Sequence, residues 1–299
     1  MAFRNVIIES PARISLRNEQ LVIHTDADHS IAPEDISALL LESRQSTVTV
    51  AALSLLGQRG CAVFVCDEKH MPCAILQPFS QHSRTLSVLR TQLDASEPLK
   101  KRLWQAVVRE KVRNQGLCLK MVGQEAIAER LFSFLVQIRS GDSSNVEARA
   151  AQLYFPALFG RGFVRGVDNG INAGLNYGYA ILRGCIARML AVYGFQPALG
   201  IHHRSEVNSF NLADDLIEPF RPMIDLLVYQ NIRRDDELTS QHKRLLFNSL
   251  NLDVLIGSKH HSVAYAVELA VQSLSSALAA GQAELMLPEL QPTKQHRYE

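Results

Sequence analysis

Leu86-Ser87-Val88-Leu89-Arg90-Thr91-Gln92-Leu93 lies where the hydrophobic pattern of this sequence changes period. Before it, apolar residues alternate or come in short β-branched runs: Val6-Ile7-Ile8, Arg13-Ile14-Ser15-Leu16, Leu21-Val22-Ile23-His24 and Ala62-Val63-Phe64-Val65. A period of two, with turn or charged residues between the runs, predicts strands. From about His82 the spacing lengthens to three and four, at Leu86, Leu89 and Leu93 and then at Leu103, Val107 and Val108, the pattern of buried helix faces. The expected fold class is α+β: a small N-terminal mostly-β domain, residues 1–80, followed by a larger, mainly α-helical domain, residues 81–299. A chain of 299 residues exceeds the usual size of one hydrophobic core, which agrees with two unequal domains.

Within the first domain a short helix is expected at 49–57, stopped by Gly57 and Gly60. In the second, a long helix from about Asn172 to Tyr193 turns Leu175, Leu182, Ile186, Met189 and Leu190 towards a core, leaves a polar stripe opposite, and stops at Gly194. Another, at 262–280, closes at Gly281, and Pro288 and Pro292 mark a loose tail.

Composition narrows the function classes. With 47% hydrophobic and 20% charged residues the chain has a globular composition. No apolar run approaches the roughly 20 residues that span a bilayer, and the N-terminus lacks a signal-peptide pattern, so the expected location is cytoplasmic, with no membrane partner. Cys61, Cys66, Cys73, Cys118 and Cys185 contain no CxxC pair, which argues for buried thiols over a disulfide framework or thiolate zinc site. The net charge of +1 conceals an uneven distribution. Within 84–113, Arg84, Arg90, Lys100, Lys101, Arg102, Arg109, Lys111 and Arg113 face only Asp94, Glu97 and Glu110. Two readings stand: the solvated side of two amphipathic helices, or a surface that tracks phosphates.

Three segments could carry chemistry: Asn145-Val146-Glu147-Ala148-Arg149-Ala150, Gly200-Ile201-His202-His203, and Asp214-Asp215-Leu216-Ile217-Glu218-Pro219-Phe220-Arg221-Pro222. Each has a bland reading. Ser144 and Glu147 fit a capping box, the paired histidines fit satisfied surface or half-buried rings, and the acidic run suits the positive end of a helix. Together they offer carboxylates and an imidazole, ligands suited to a cation that offsets charge in phosphodiester transfer. Asp215 and Glu218, three apart, would project from one helical face into one site.

The order Asn-x-Glu-Ala, then Gly-Ile-His-His, then Asp-Leu-x-Glu-x-x-Arg-Pro resembles the Cas-one family of CRISPR adaptation integrases, most closely its type II members. Asn172, Leu175, Asn176, Tyr177, Gly178 and Tyr179 resemble the segment such proteins carry between the motifs. The motif match covers about residues 140–230, and the β-then-α layout extends it over the chain. The resemblance implies a catalytic metal site built from Glu147, His203 and Glu218, with Asp215 as auxiliary carboxylate and Mg²⁺ or Mn²⁺ as the ion. It implies a metal-dependent DNA integrase and endonuclease that inserts short duplex fragments into a CRISPR repeat array by attack of a 3′-hydroxyl. Its implied partners are a second copy of the chain, a smaller Cas-two subunit and the effector nuclease of a type II system, with dimerisation and partner contacts assigned to the N-terminal domain. Residues of the DNA-holding surface would include Lys100, Lys101, Arg102, Arg149, Asn172, Asn176, Tyr179 and Arg183, with Arg161 and Arg165 further candidates. Two alternatives use the same residues: a metal-dependent nuclease on branched or single-stranded DNA, and a non-catalytic DNA-binding scaffold in which Glu147 only caps a helix.

Overall fold

The strand-forming runs pair into two four-stranded sheets in a computed structural model that describes residues 4–76 and 84–296. Along the chain come β1 (Arg4–Ile8), β2 (Arg13–Arg17), β3 (Gln20–His24), β4 (Asp28–Ile31), β5 (Ile36–Leu41), β6 (Thr47–Val48), α1 (Val50–Gln58), β7 (Ala62–Cys66) and β8 (Pro72–Leu76). One sheet has the order β1-β5-β7-β8, with β1, β5 and β7 parallel; the other has the order β4-β3-β2-β6, built on the β2–β3–β4 meander. Ile8, Ile14, Leu21, Ile23, Leu39, Leu56 and Val63 form their shared core. The Ile36–Leu41 segment lies inside its sheet with Ala38, Leu39 and Leu40 all buried, and a strand covered on both faces has no need to alternate. Helix α1 begins where Thr49 accepts a hydrogen bond from the Ala52 amide; it runs through Gly57, and Gly60 takes the positive φ.

The chain divides into two compact units between residues 83 and 84, while the boundary expected at residue 80 falls outside the described residues. The second unit contains α2 (Thr85–Asp94), α3 (Glu97–Met121), α4 (Glu125–Phe134), α5 (Val146–Phe159), α6 (Gly170–Val192), α7 (Asn211–Leu216), α8 (Arg221–Asn231), α9 (Ser240–Phe247), the hairpin β9 (Asp253–Ile256) and β10 (Lys259–Ser262), and α10 (Val263–Ala280). Helix α10 is apolar enough, by length and composition, to cross a membrane, with a mean hydropathy of 1.3. It is a core helix here: Val263, Val267, Val271 and Leu274 are buried, and it packs on α6.

Three expectations need correction. In α2, Leu86 and Leu93 point to solvent, while Gln92 is buried because its amide donates to the Gln196 and Leu199 carbonyls and accepts from the Gln196 amide. The polar stripe of α6 is only half accessible: Asn172 and Tyr179 are buried where α7, α8, α9 and α10 pack around this helix, while Asn176 stays exposed and Arg183 partly so. A Cβ at Gly178 would come within 2.5 Å of Ile224, so glycine lets α8 approach this closely. The segment after α10 is docked, with Asn114 of α3 donating to the Pro219 and Pro288 carbonyls and accepting from the Leu290 amide. Buried backbone groups of that segment thus gain partners.

Inside the second unit Asp225 of α8 is buried and accepts hydrogen bonds from the hydroxyls of Tyr154 and Tyr179. Burial pushes its carboxyl up to about 6, against the opposing influence of the two tyrosines and Arg221. The folded protein holds this proton more tightly than the unfolded chain. The contribution of this group to stability therefore falls as pH rises from the ordinary carboxyl range through about 6. An asparagine in its place would keep an acceptor for one tyrosine and offer a donor to the other, so Asp225→Asn should fold. Between pH 4 and 6.5 its melting temperature is expected to gain on the parent's by several degrees, at about 2–4 °C per kcal/mol for a chain of this size. Parallel melting curves across that range would refute the assignment.

Candidate functional site

Helix α5 places Glu147 in its first turn. The amides of Val146 and Glu147 donate to Asp142, to Oδ1 and Oδ2 respectively at 2.9 Å, so a carboxylate just before the helix satisfies its open donors. Ser144 is not the cap; its hydroxyl donates to the Gln137 carbonyl. Asp142 thus replaces the expected capping box. The Glu147 carboxylate instead accepts a 2.6 Å hydrogen bond from Lys111 Nζ on α3.

Gly200-Ile201-His202-His203 forms a tight loop around one carboxylate. Asp215 on α7 has no solvent exposure and accepts from the amides of Ile201, His202 and His203 at 2.7, 3.0 and 3.1 Å, and from His203 Nδ1 at 2.7 Å. A Cβ on Gly200 would sit 2.8 Å from Asp215 Oδ2 and closer still to the His203 carbonyl, so the loop closes only over glycine. Asp215 does not project alongside Glu218 as the spacing of three implied; it turns back under the loop. A carboxylate can only accept here, so His203 carries a ring proton on Nδ1 and its Nε2 is directed away from Asp215. The bond to Asp215 also raises the pKa of His203. His202 differs: its ring stacks on Trp104 with centroids 4.0 Å apart and planes parallel to 1°, and burial pushes its pKa down.

Glu218 opens the 3-10 turn between α7 and α8, and only 7% of its side chain is exposed. Its Oε1 accepts from Arg221 Nε at 2.8 Å, and its Oε2 pairs with Lys111 Nζ. Burial would raise its pKa, but the two cations hold the carboxyl below its ordinary value. Burial likewise works against the Lys111 ammonium, which Glu218 and Glu147 keep charged. Two carboxylates brought from separate elements thus share one positive charge. Among the described residues, no three His, Cys, Asp or Glu side chains converge on a common metal position.

The remaining candidates scatter. Lys101, Arg102 and Arg149 are exposed, while Lys100 is half-buried beside Glu97. Arg149 lies over the Phe134 ring. Asn172 is spent on the loop before α6, accepting from Arg165 and donating to the Val164 and Val167 carbonyls, and Tyr179 on Asp225. Asn176 is exposed and accepts from Arg165; Arg183 forks onto Asp214. Sequence reasoning overlooked Asp142, Trp104 and Lys111 as parts of the site. Lys111 did leave a signal: it follows Trp104, Val107 and Val108 on the inward stripe of α3, where a lysine demands a buried partner.

The sequence model of the family described as CRISPR associated protein Cas1 matches residues 6–245. This chain belongs to the Cas1 family. It is 42% identical, over the full length of both chains, to the CRISPR-associated endonuclease Cas1 of Neisseria meningitidis serogroup C (strain 8013). Two solved structures share the Cas1 fold of this chain at 18% identity. One is a casposase bound to its integration product, with a TM-score of 0.75, 95% of this chain and 92% of that chain covered. The other is a Cas6-RT-Cas1–Cas2 complex, with a TM-score of 0.70, where the match covers 96% of this chain but 36% of the larger one. The α+β succession, strands first and helices after, is that of the family's fold.

Proposed function

We propose that this Cas1-family chain is a divalent-metal-dependent DNA integrase and endonuclease that joins short DNA fragments into a CRISPR repeat array by attack of a 3′-hydroxyl. The observation that carries this reading is the meeting of Glu147 and Glu218 at one positive charge, beside a histidine whose Nδ1 is fixed by a buried aspartate. Those residues fit a metal. Two carboxylates already close on a cation, and His203 offers an imidazole nitrogen backed by Asp215. Glu147, His203 and Glu218 would hold Mg²⁺ or Mn²⁺, the imidazole suiting manganese at least as well as magnesium. The ion, when bound, offsets charge on the phosphate and lowers the pKa of the attacking hydroxyl.

The chain's own residues do the rest. Arg221 keeps Glu218 ionised and oriented, Asp215 sets the ring and tautomer of His203, and Asp142 starts α5 so that Glu147 is free to face the site. Fragments of arbitrary sequence must be held through their backbones, and Lys101, Arg102, Arg149 and Asn176 are the exposed candidates of the helical unit. The N-terminal β unit would mediate dimerisation and contact a smaller Cas2 subunit and a type II effector nuclease, with the assembly working in the cytoplasm. One of the structural relatives is a complex with Cas2 and another is bound to an integration product, which supports Cas2 and DNA as partners.

Incubation with a labelled duplex and a repeat-bearing plasmid tests the reaction. Joined product is expected with a free 3′-hydroxyl and none with a 3′-deoxy end; cut ends without joining would reduce the chain to a nuclease. For the DNA-holding surface, replacing Lys100, Lys101 and Arg102 by Ala should weaken duplex binding and flatten its salt dependence by about 0.9 in slope for each phosphate no longer neutralised. An unchanged slope would return these residues to plain solvated surface.

A further inference from the structure

Lys111 is 12% exposed and its ammonium pairs with both Glu147 and Glu218, the two carboxylates of the proposed metal site. Two of its neighbours have anchors besides it: Arg221 grips the other oxygen of Glu218, and Asp215 is fixed by three backbone amides. Lys111 sits between the carboxylates on a four-carbon stem, able to move its charge without moving α3. An ammonium and a divalent cation repel strongly at contact distances and compete for the same oxygens.

We infer that Lys111 is a built-in counter-ion: it takes the place of the divalent cation in the metal-free protein, holding Glu147 and Glu218 together, and leaves that place when the metal binds. It thereby sets how tightly the metal is held. This inference rests on the metal reading above. Arg221 keeps its bond to Glu218 Oε1 throughout, so the carboxylate retains its orientation as Lys111 departs.

Trp104, the single tryptophan of the chain, reports on the site directly because it stacks on His202 and meets the His203 ring edge-on at 5.6 Å between centroids. Its fluorescence should be quenched by Mn²⁺, with no DNA or turnover involved. Lys111→Met, similar in length and apolar, is expected to bind Mn²⁺ at least about tenfold more tightly than the parent, since competition and repulsion are both removed. Without metal it should melt lower than the parent, two facing carboxylates having lost their cation, and saturating Mn²⁺ should close that gap. Lys111→Gln, neutral and able to donate to either carboxylate, repeats the comparison should the methionine protein fail to fold, and is likewise expected to bind more tightly. Parent protein that responds to Mn²⁺ while the neutral variants bind no more tightly overturns this inference alone. Parent protein that shows no Mn²⁺ response overturns the metal reading, and the inference with it.

Discussion

Glu147→Gln is expected to lower strand joining at least about a thousandfold while leaving a folded chain that still binds DNA. The charge of this carboxylate is what the site uses, whether its partner is Lys111 or a divalent ion, and glutamine removes that charge at nearly constant shape. Stability should change little, with a melting temperature within a few degrees of the parent. The reason is local: the first amides of α5 are satisfied by Asp142, and the Glu147 side chain has no capping duty to lose. Gel analysis of joined product in Mg²⁺ and in Mn²⁺, beside a melting curve, decides the matter. Substantial joining by folded Glu147→Gln protein would remove the centre of the catalytic assignment.

Next in size is the contrast between the adjacent histidines. His203→Ala is expected to abolish joining, whereas His202→Ala should retain much of it. Both rings touch Trp104, but only His203 has its Nδ1 tied to a buried carboxylate, which fixes the orientation of the other nitrogen. His202 lies flat on Trp104, so its removal opens a gap beside the indole and is expected to lower stability more than His203→Ala does. Joining assays on both variants, each normalised to folded protein, give the test. The reverse pattern would move the ligand role to His202 and leave Asp215 holding the wrong ring.

The helical unit explains why these predictions took three dimensions to frame. Periodicity identified Leu103, Val107 and Val108 as a buried face, and all three are fully buried. The same stripe contains Lys111, whose position alone gave no partner, because Glu147 and Glu218 lie 36 and 107 residues further on. Asp142 illustrates a different limit. Ser144 and Glu147 had the spacing of a capping box, yet Asn145 takes a left-handed conformation at the helix start, and that turn carries the Asp142 carboxylate to the helix amides instead.

By itself, then, the sequence determined the succession of strands and helices, since side-chain period is a local property of β and α backbone, and it singled out Glu147, His203, Asp215 and Glu218 through the motifs they stand in. Tertiary structure alone decided which faces are inside. Asn172 and Tyr179 look like a solvent-facing stripe because a polar residue on one helix face reads the same whether water or another helix meets it. The surrounding helices buried these two residues, with Tyr179 bonded to Asp225, and left Asn176 of the same stripe exposed. The buried lysine between two carboxylates was likewise settled only by packing, because the free energy of a buried charge depends on which opposite charges the fold brings within reach, and no spacing along the chain encodes that distance.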